Sequence, residues 1–247
     1  MSSGRRRQRP AALTSNGPPT RNGRTTGFSM SYQMRTYSTL ISISAAFLCS
    51  AFKYRRGDKA WLFLALYTGW SFTAECIATL CAYHYGNNLR AYSYTEPVNL
   101  LLASLYFNYK NRQLRRFYAG YLAGFAGVCI QAACLPYSTG INSIFTQYEC
   151  VALTAFSLYH CYSVCAGRRR PAYPEKQAFI ISLLFLLFFS GSFFIRASVA
   201  FFSDSATDRQ IVHRLYALVY YLALIFYTGI AITLIFPRPA PKNLYHA

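Results

Sequence analysis

Seven long apolar runs, parted by short basic loops, leave this chain few ways to fold. They cover Tyr37–Phe52, Ala60–Tyr83, Leu89–Tyr109, Phe117–Pro136, Asn142–Ala166, Gln177–Phe202 and Ile211–Phe236. Apart from the first, each comes near the roughly 20 residues a helix needs to cross a hydrocarbon core about 30 Å thick. Charged residues are only 13% of the 247, about half the share usual in soluble domains. The expectation is an all-α, polytopic membrane bundle of seven transmembrane helices over residues 36–236. Residues 1–35 form a basic tail of disordered composition, rich in Gly, Pro, Ser and Thr. Residues 237–247 form a short tail.

Loop charge predicts an orientation. The fifth run, from Ile141, closes on Arg168, Arg169 and Arg170. Counting alternate loops and the C-terminal tail, fourteen Lys and Arg fall on one side and three (Arg90, Arg209, Arg214) on the other. Basic residues are retained in the cytoplasm, so the C-terminus is expected inside and the N-terminus outside. Seven arginines in residues 1–35 oppose that parity. Met30 and Met34 stand just before the first run, and translation is expected to start at one of them.

The net charge of +18 would suggest nucleic acid in a soluble protein. Here the basic residues sit at the ends of apolar runs, so the lipid bilayer is the expected partner and nucleic acid is not. All eight cysteines lie inside apolar runs and no C-x-x-C occurs, which suits small hydrophobes rather than a metal or redox centre. Cys81 and Cys134 both sit near expected outer ends of runs, where an oxidising compartment would allow a disulfide between them.

Ionisable residues inside such runs are costly and mark candidate sites. Glu75, Glu149 and Arg196 fall at similar depths of about 9 to 12 Å below the expected outer ends. Glu96, His213 and Gln131 belong to the same outer half, as do Asn99 and Gln147. These six, Glu75, Glu149, Arg196, Glu96, His213 and Gln131, are the candidate ligand-binding residues. A plainer account makes Arg196 an ion-pair partner of Glu75 or Glu149. Ser93 and Glu96 also fit the S-x-x-E capping box, and His160 is expected to be a hydrogen-bonded helix partner. Two deep acids face one equally deep base, so one carboxylate is expected to lack a fixed partner.

Several classes are excluded. Retinal needs a lysine in the last helix, which has none. Rhodopsin-like receptor motifs are missing from the third and seventh runs. A zinc amidase needs clustered histidines, and His160 and His213 lie at opposite depths, so no metal or other cofactor is expected. Gly191–Ser192 lacks the G-x-S-x-G context of a serine hydrolase. No catalytic residue is assigned.

Four short motifs remain: AEC at Glu75, YTEP at 94–97, YEC at Glu149 and FSG at 189–191. Together they resemble a family of short seven-helix inner-membrane proteins of Gram-negative bacteria. The resemblance implies a multi-pass inner-membrane location and implies no activity. The expected role is a small-ligand or ion-binding sensor or accessory subunit with an outward-facing polar pocket, acting through another membrane protein. Two alternatives stand beside it. One is an intramembrane lipid-processing enzyme using Glu75 or Glu149 as acid or base; the other is a structural scaffold.

Overall fold

The computed structural model describes residues 32–54, 58–85, 89–111, 125, 129, 139–166, 173–202 and 209–236. They form six helices: α1 (Tyr32–Tyr54), α2 (Lys59–Tyr85), α3 (Leu89–Lys110), α4 (Thr139–Cys165), α5 (Tyr173–Phe202) and α6 (Arg209–Ile235). Each of α1, α2, α4, α5 and α6 begins before the apolar run that predicts it, because apolarity marks burial while helix extends into flanking polar residues. Asp58 caps α2, its Oδ1 accepting from the Ala60 N–H at 3.0 Å. Pro174 and Glu175 occupy the first turn of α5, where a missing N–H is harmless and a carboxylate suits the helix dipole.

The six helices pack in chain order, and α6 packs back against α1. Phe185 of α5 is the aromatic hub, fully buried. Its ring centroid lies 4.9 Å from Phe226, 5.2 Å from Phe107, 5.4 Å from Tyr67 and 6.1 Å from Tyr106. Four helices thus meet on one ring. Several buried hydroxyls need no partner on another helix. Those of Ser50, Thr68, Ser104, Ser157 and Ser182 donate to the carbonyl four residues back, which satisfies them within their own helix.

The seven expected transmembrane helices are not found among the described residues. Six helices are present among the described residues, and two of them hold stretches long and apolar enough to cross a membrane, Glu175–Val199 in α5 and Arg214–Ile235 in α6. The others are diluted by polar groups. In α2 Glu75 stands among threonines and two tryptophans; α3 carries Glu96, Asn99, Asn108 and Pro97; α4 carries Gln147, Glu149 and His160. The expected run Phe117–Pro136 lies outside the described residues except for Phe125 and Cys129. The orientation with the N-terminus outside and the C-terminus cytoplasmic depended on the parity of seven, and it falls with that number. Of the expected tail over residues 1–35, residues 32–35 belong to α1 instead, and residues 1–31, like the tail over 237–247, lie outside the described residues.

Candidate functional site

The buried face of α4 follows helical spacing: Phe145, Thr146, Glu149, Cys150, Leu153, Ser157, His160 and Cys161. Residues three and four apart share a helix face, so this pattern turns Glu149 into the bundle. It is 6% exposed. Thr146, one turn earlier, donates its hydroxyl to Glu96 Oε2 of α3 at 2.7 Å. Thr146 thereby brings Glu96 and Glu149 to one place, with α3 and α4 packed across it.

Arg196 of α5 completes the group. Its charge acts on both Glu96 and Glu149. Yet among the described residues its Nε is buried without a hydrogen-bond acceptor, and the salt bridge found is Lys110 with Asp58. The expected ion pair of Arg196 with Glu75 or Glu149 is not formed. Ser192, one turn before Arg196 on the same face of α5, is buried and its Oγ also lacks a partner. Other serines of α5, Ser182, Ser190 and Ser198, bond the carbonyl four residues back.

Glu75 stands apart from this group in its bonding. It accepts the Tyr92 hydroxyl of α3 at 2.9 Å. A turn away, Ser71 donates to Asn99 Oδ1 at 3.2 Å, and the buried Tyr67 and Tyr227 lie near each other and near Ser71. Glu96 is not a cap. Helix α3 starts at Leu89 and runs through Pro97, so Ser93 and Glu96 lie inside it, and the carboxylate turns to α4 instead. Gln131 and the side chain of His213 lie outside the described residues.

The structure adds a second polar cluster, near the other end of α4. Lys53 of α1 donates to Gln177 Oε1 of α5 at 2.6 Å, and Gln177 Nε2 donates to the Thr233 carbonyl of α6 at 2.7 Å. Lys110 bonds Asp58 and lies 4.4 Å from the centroid of the buried Trp61 ring, a cation–π distance. Asn111 Nδ2 donates to Ser163 Oγ at 3.1 Å. His160, expected to be hydrogen-bonded, has both ring nitrogens buried with no partner among the described residues. It packs on Phe107 with centroids 6.3 Å apart. Sequence reading missed this cluster because its members lie at the ends of apolar runs, where polar side chains are ordinary. The burial of Gln177, Asn111 and His160 distinguishes it.

No group of three His, Cys, Asp or Glu that could hold a metal ion occurs among the described residues. Cys81 carries a free thiol, so the pairing with Cys134 is not made. No protein-family model, curated protein or solved structure matches the chain.

Proposed function

We propose that this is a multi-pass membrane protein that binds a small ligand through Glu149, Glu96 and Arg196, in the manner of a sensor or accessory subunit. The observation that carries the reading is the open arrangement of Glu149 and Arg196. Two opposite charges are held near each other in a largely buried place without being closed into an ion pair. Burying charge is expensive unless it is paired and hydrogen-bonded. A fold that keeps such groups apart carries a cost that a bound molecule can offset.

Membrane embedding is supported by how little of the two apolar stretches is internal. Only 33% of each is buried within the bundle, whereas the core helix of a soluble protein would be mostly buried. Large apolar side chains also face outward on the neighbouring helices: Ile41 and Leu48 on α1, Leu66 and Leu80 on α2, Val151 and Leu158 on α4. Outward apolar surface of this extent is a membrane or partner surface. The short-motif resemblance adds the cell inner membrane to this reading.

The test is native mass spectrometry of the full chain purified in mild detergent. A low-mass adduct on the wild type that is lost in Glu149→Gln supports the reading. Identical bare spectra for both proteins, from cells grown in rich medium, would overturn it.

A further inference from the structure

The groups that the fold leaves unanswered at this site have opposite signs. Glu75 and Glu96 each accept a hydroxyl hydrogen bond, from Tyr92 and Thr146. Glu149 is 6% exposed, and what acts on its carboxylate among the described residues is the charge of Glu96 and of Arg196 rather than a hydrogen-bond donor. Arg196 Nε and Ser192 Oγ, one turn apart on α5, are buried and unpartnered among those residues. Two carboxylates and one guanidinium act on each other, and the site still holds one unsatisfied acceptor and one unsatisfied donor of opposite charge.

We infer that the site takes a small zwitterion, with a primary ammonium against Glu149 and an acidic anion, carboxylate or phosphate, against Arg196. This rests on the ligand-binding reading above and names the ligand class. A carboxylate has only acceptors and an ammonium only donors, so the two are matched. A guanidinium offers a planar fork of N–H groups that fits carboxylate or phosphate, and the Ser192 hydroxyl adds a donor on the same face of α5. A simple cation would answer Glu149 and leave Arg196 Nε without an acceptor. A simple anion would bring a third negative charge beside Glu96 and Glu149. Only a molecule carrying both charges answers both groups. It can come from two sources, free amino acids or the phosphoethanolamine headgroup of a membrane lipid.

The probes are ω-amino acids of increasing length, from glycine to 6-aminohexanoate, with methylamine and acetate as the separate halves and a short-chain phosphatidylethanolamine as the lipid form. The full chain in detergent is unfolded thermally with each. The expected result is a saturable rise in the unfolding midpoint with one chain length or with the lipid, and none with either half. At a hundredfold excess over Kd the rise should be about 5 to 10 °C. It should vanish in both Glu149→Gln and Arg196→Met. An amino acid active where the lipid is not assigns the free source, and the reverse assigns the headgroup.

Methylamine or acetate acting as well as any zwitterion would overturn the inference, as would no response to any probe. Because this comparison is made on the wild type, a variant that fails to fold does not blunt it. An adduct in the mass spectrum that is lost in Glu149→Gln, together with no zwitterion response, would leave the ligand site standing and discard only the ligand class.

Discussion

The Lys110 ammonium donates to Asp58 Oδ2 at 2.7 Å, joining the end of α3 to the start of α2. The same Asp58 caps α2 through Oδ1, and the same Lys110 covers Trp61. One ion pair therefore holds a helix cap, a helix end and a buried indole together. Partial burial would push the Asp58 carboxyl up, but the hydrogen bonds from Lys110 and the Ala60 N–H, with the Lys110 charge, hold it below the usual carboxylate value.

A carboxyl lowered on folding contributes stability that is complete above its unfolded pKa, about 3.9, and is lost as pH falls through the lower folded value. Asp58→Asn keeps a capping oxygen and loses the charge. Its unfolding midpoint should lie below that of the wild type at pH 7, and the gap should close below about pH 4. The side chain is nearly half exposed, so the gap should be small, within about 1 kcal/mol. An equal gap at pH 3 and pH 7 would refute the assignment.

Glu149 and Arg196 should respond in opposite directions. Glu149→Gln removes a buried charge that lacks a hydrogen bond among the described residues, and without ligand it should be neutral or stabilising by about 1 kcal/mol. Arg196→Met removes the cation that acts on Glu96 and Glu149 and should destabilise by about 1 to 3 kcal/mol. The double variant should recover much of that loss, since the sites are coupled. Thermal unfolding in detergent at pH 7 measures all three. Additive effects would mean the two charges do not act on each other.

His160 holds two buried ring nitrogens with no partner among the described residues, each a group that costs about 1 to 3 kcal/mol when left unmade. His160→Leu should therefore raise the unfolding midpoint. Tyr106→Phe, which removes another buried and unpartnered oxygen, should be neutral or mildly stabilising. A marked fall for His160→Leu would show that the imidazole has a role in the fold beyond packing on Phe107.

Phe185→Ala empties the centre where α2, α3, α5 and α6 meet, and should cost about 3 to 5 kcal/mol. Phe194, on the same helix but 69% exposed, should tolerate alanine with far less loss in detergent. Chemical unfolding of both variants compares them directly, and equal losses would place the core elsewhere.

Two glycines lie in the α5–α6 contact. A Cβ on Gly229 would come within 2.8 Å of Leu184, and one on Gly191 within 2.9 Å of Leu222, closer than carbon atoms pack. Gly229→Val should destabilise by about 1 to 3 kcal/mol through overpacking. Gly229→Val with Leu184→Ala should restore part of it by making room. Failure of the second change to help would mean that the helices do not approach at this point.

From the residues alone follow the all-helical class, the approximate place of each described helix, and the position of Glu75, Glu96, Glu149 and Arg196 inside helices. Apolar runs of that length form helices, and an ionisable residue inside one is rare enough to stand out. Periodicity along α4 even carries the inward turn of Glu149, because helical spacing is a local property. The number of spans was not legible. Length and apolarity locate a helix, but polar residues such as Glu75 and Glu149 decide whether it is apolar enough to cross a membrane, and they act through what they face.

Which groups pair follows from how the helices pack. Tyr92 holds Glu75 and Thr146 holds Glu96, while Arg196 Nε finds no acceptor among the described residues. A hydrogen bond needs its two atoms within about 3 Å, and Thr146 and Glu96 are brought that close by the packing of α4 on α3, not by the 50 positions between them. The cluster around Trp61, Lys110 and Gln177 shows the same thing. Its residues are unremarkable in the chain, and they become a site only when helix ends far apart in sequence are folded to one place.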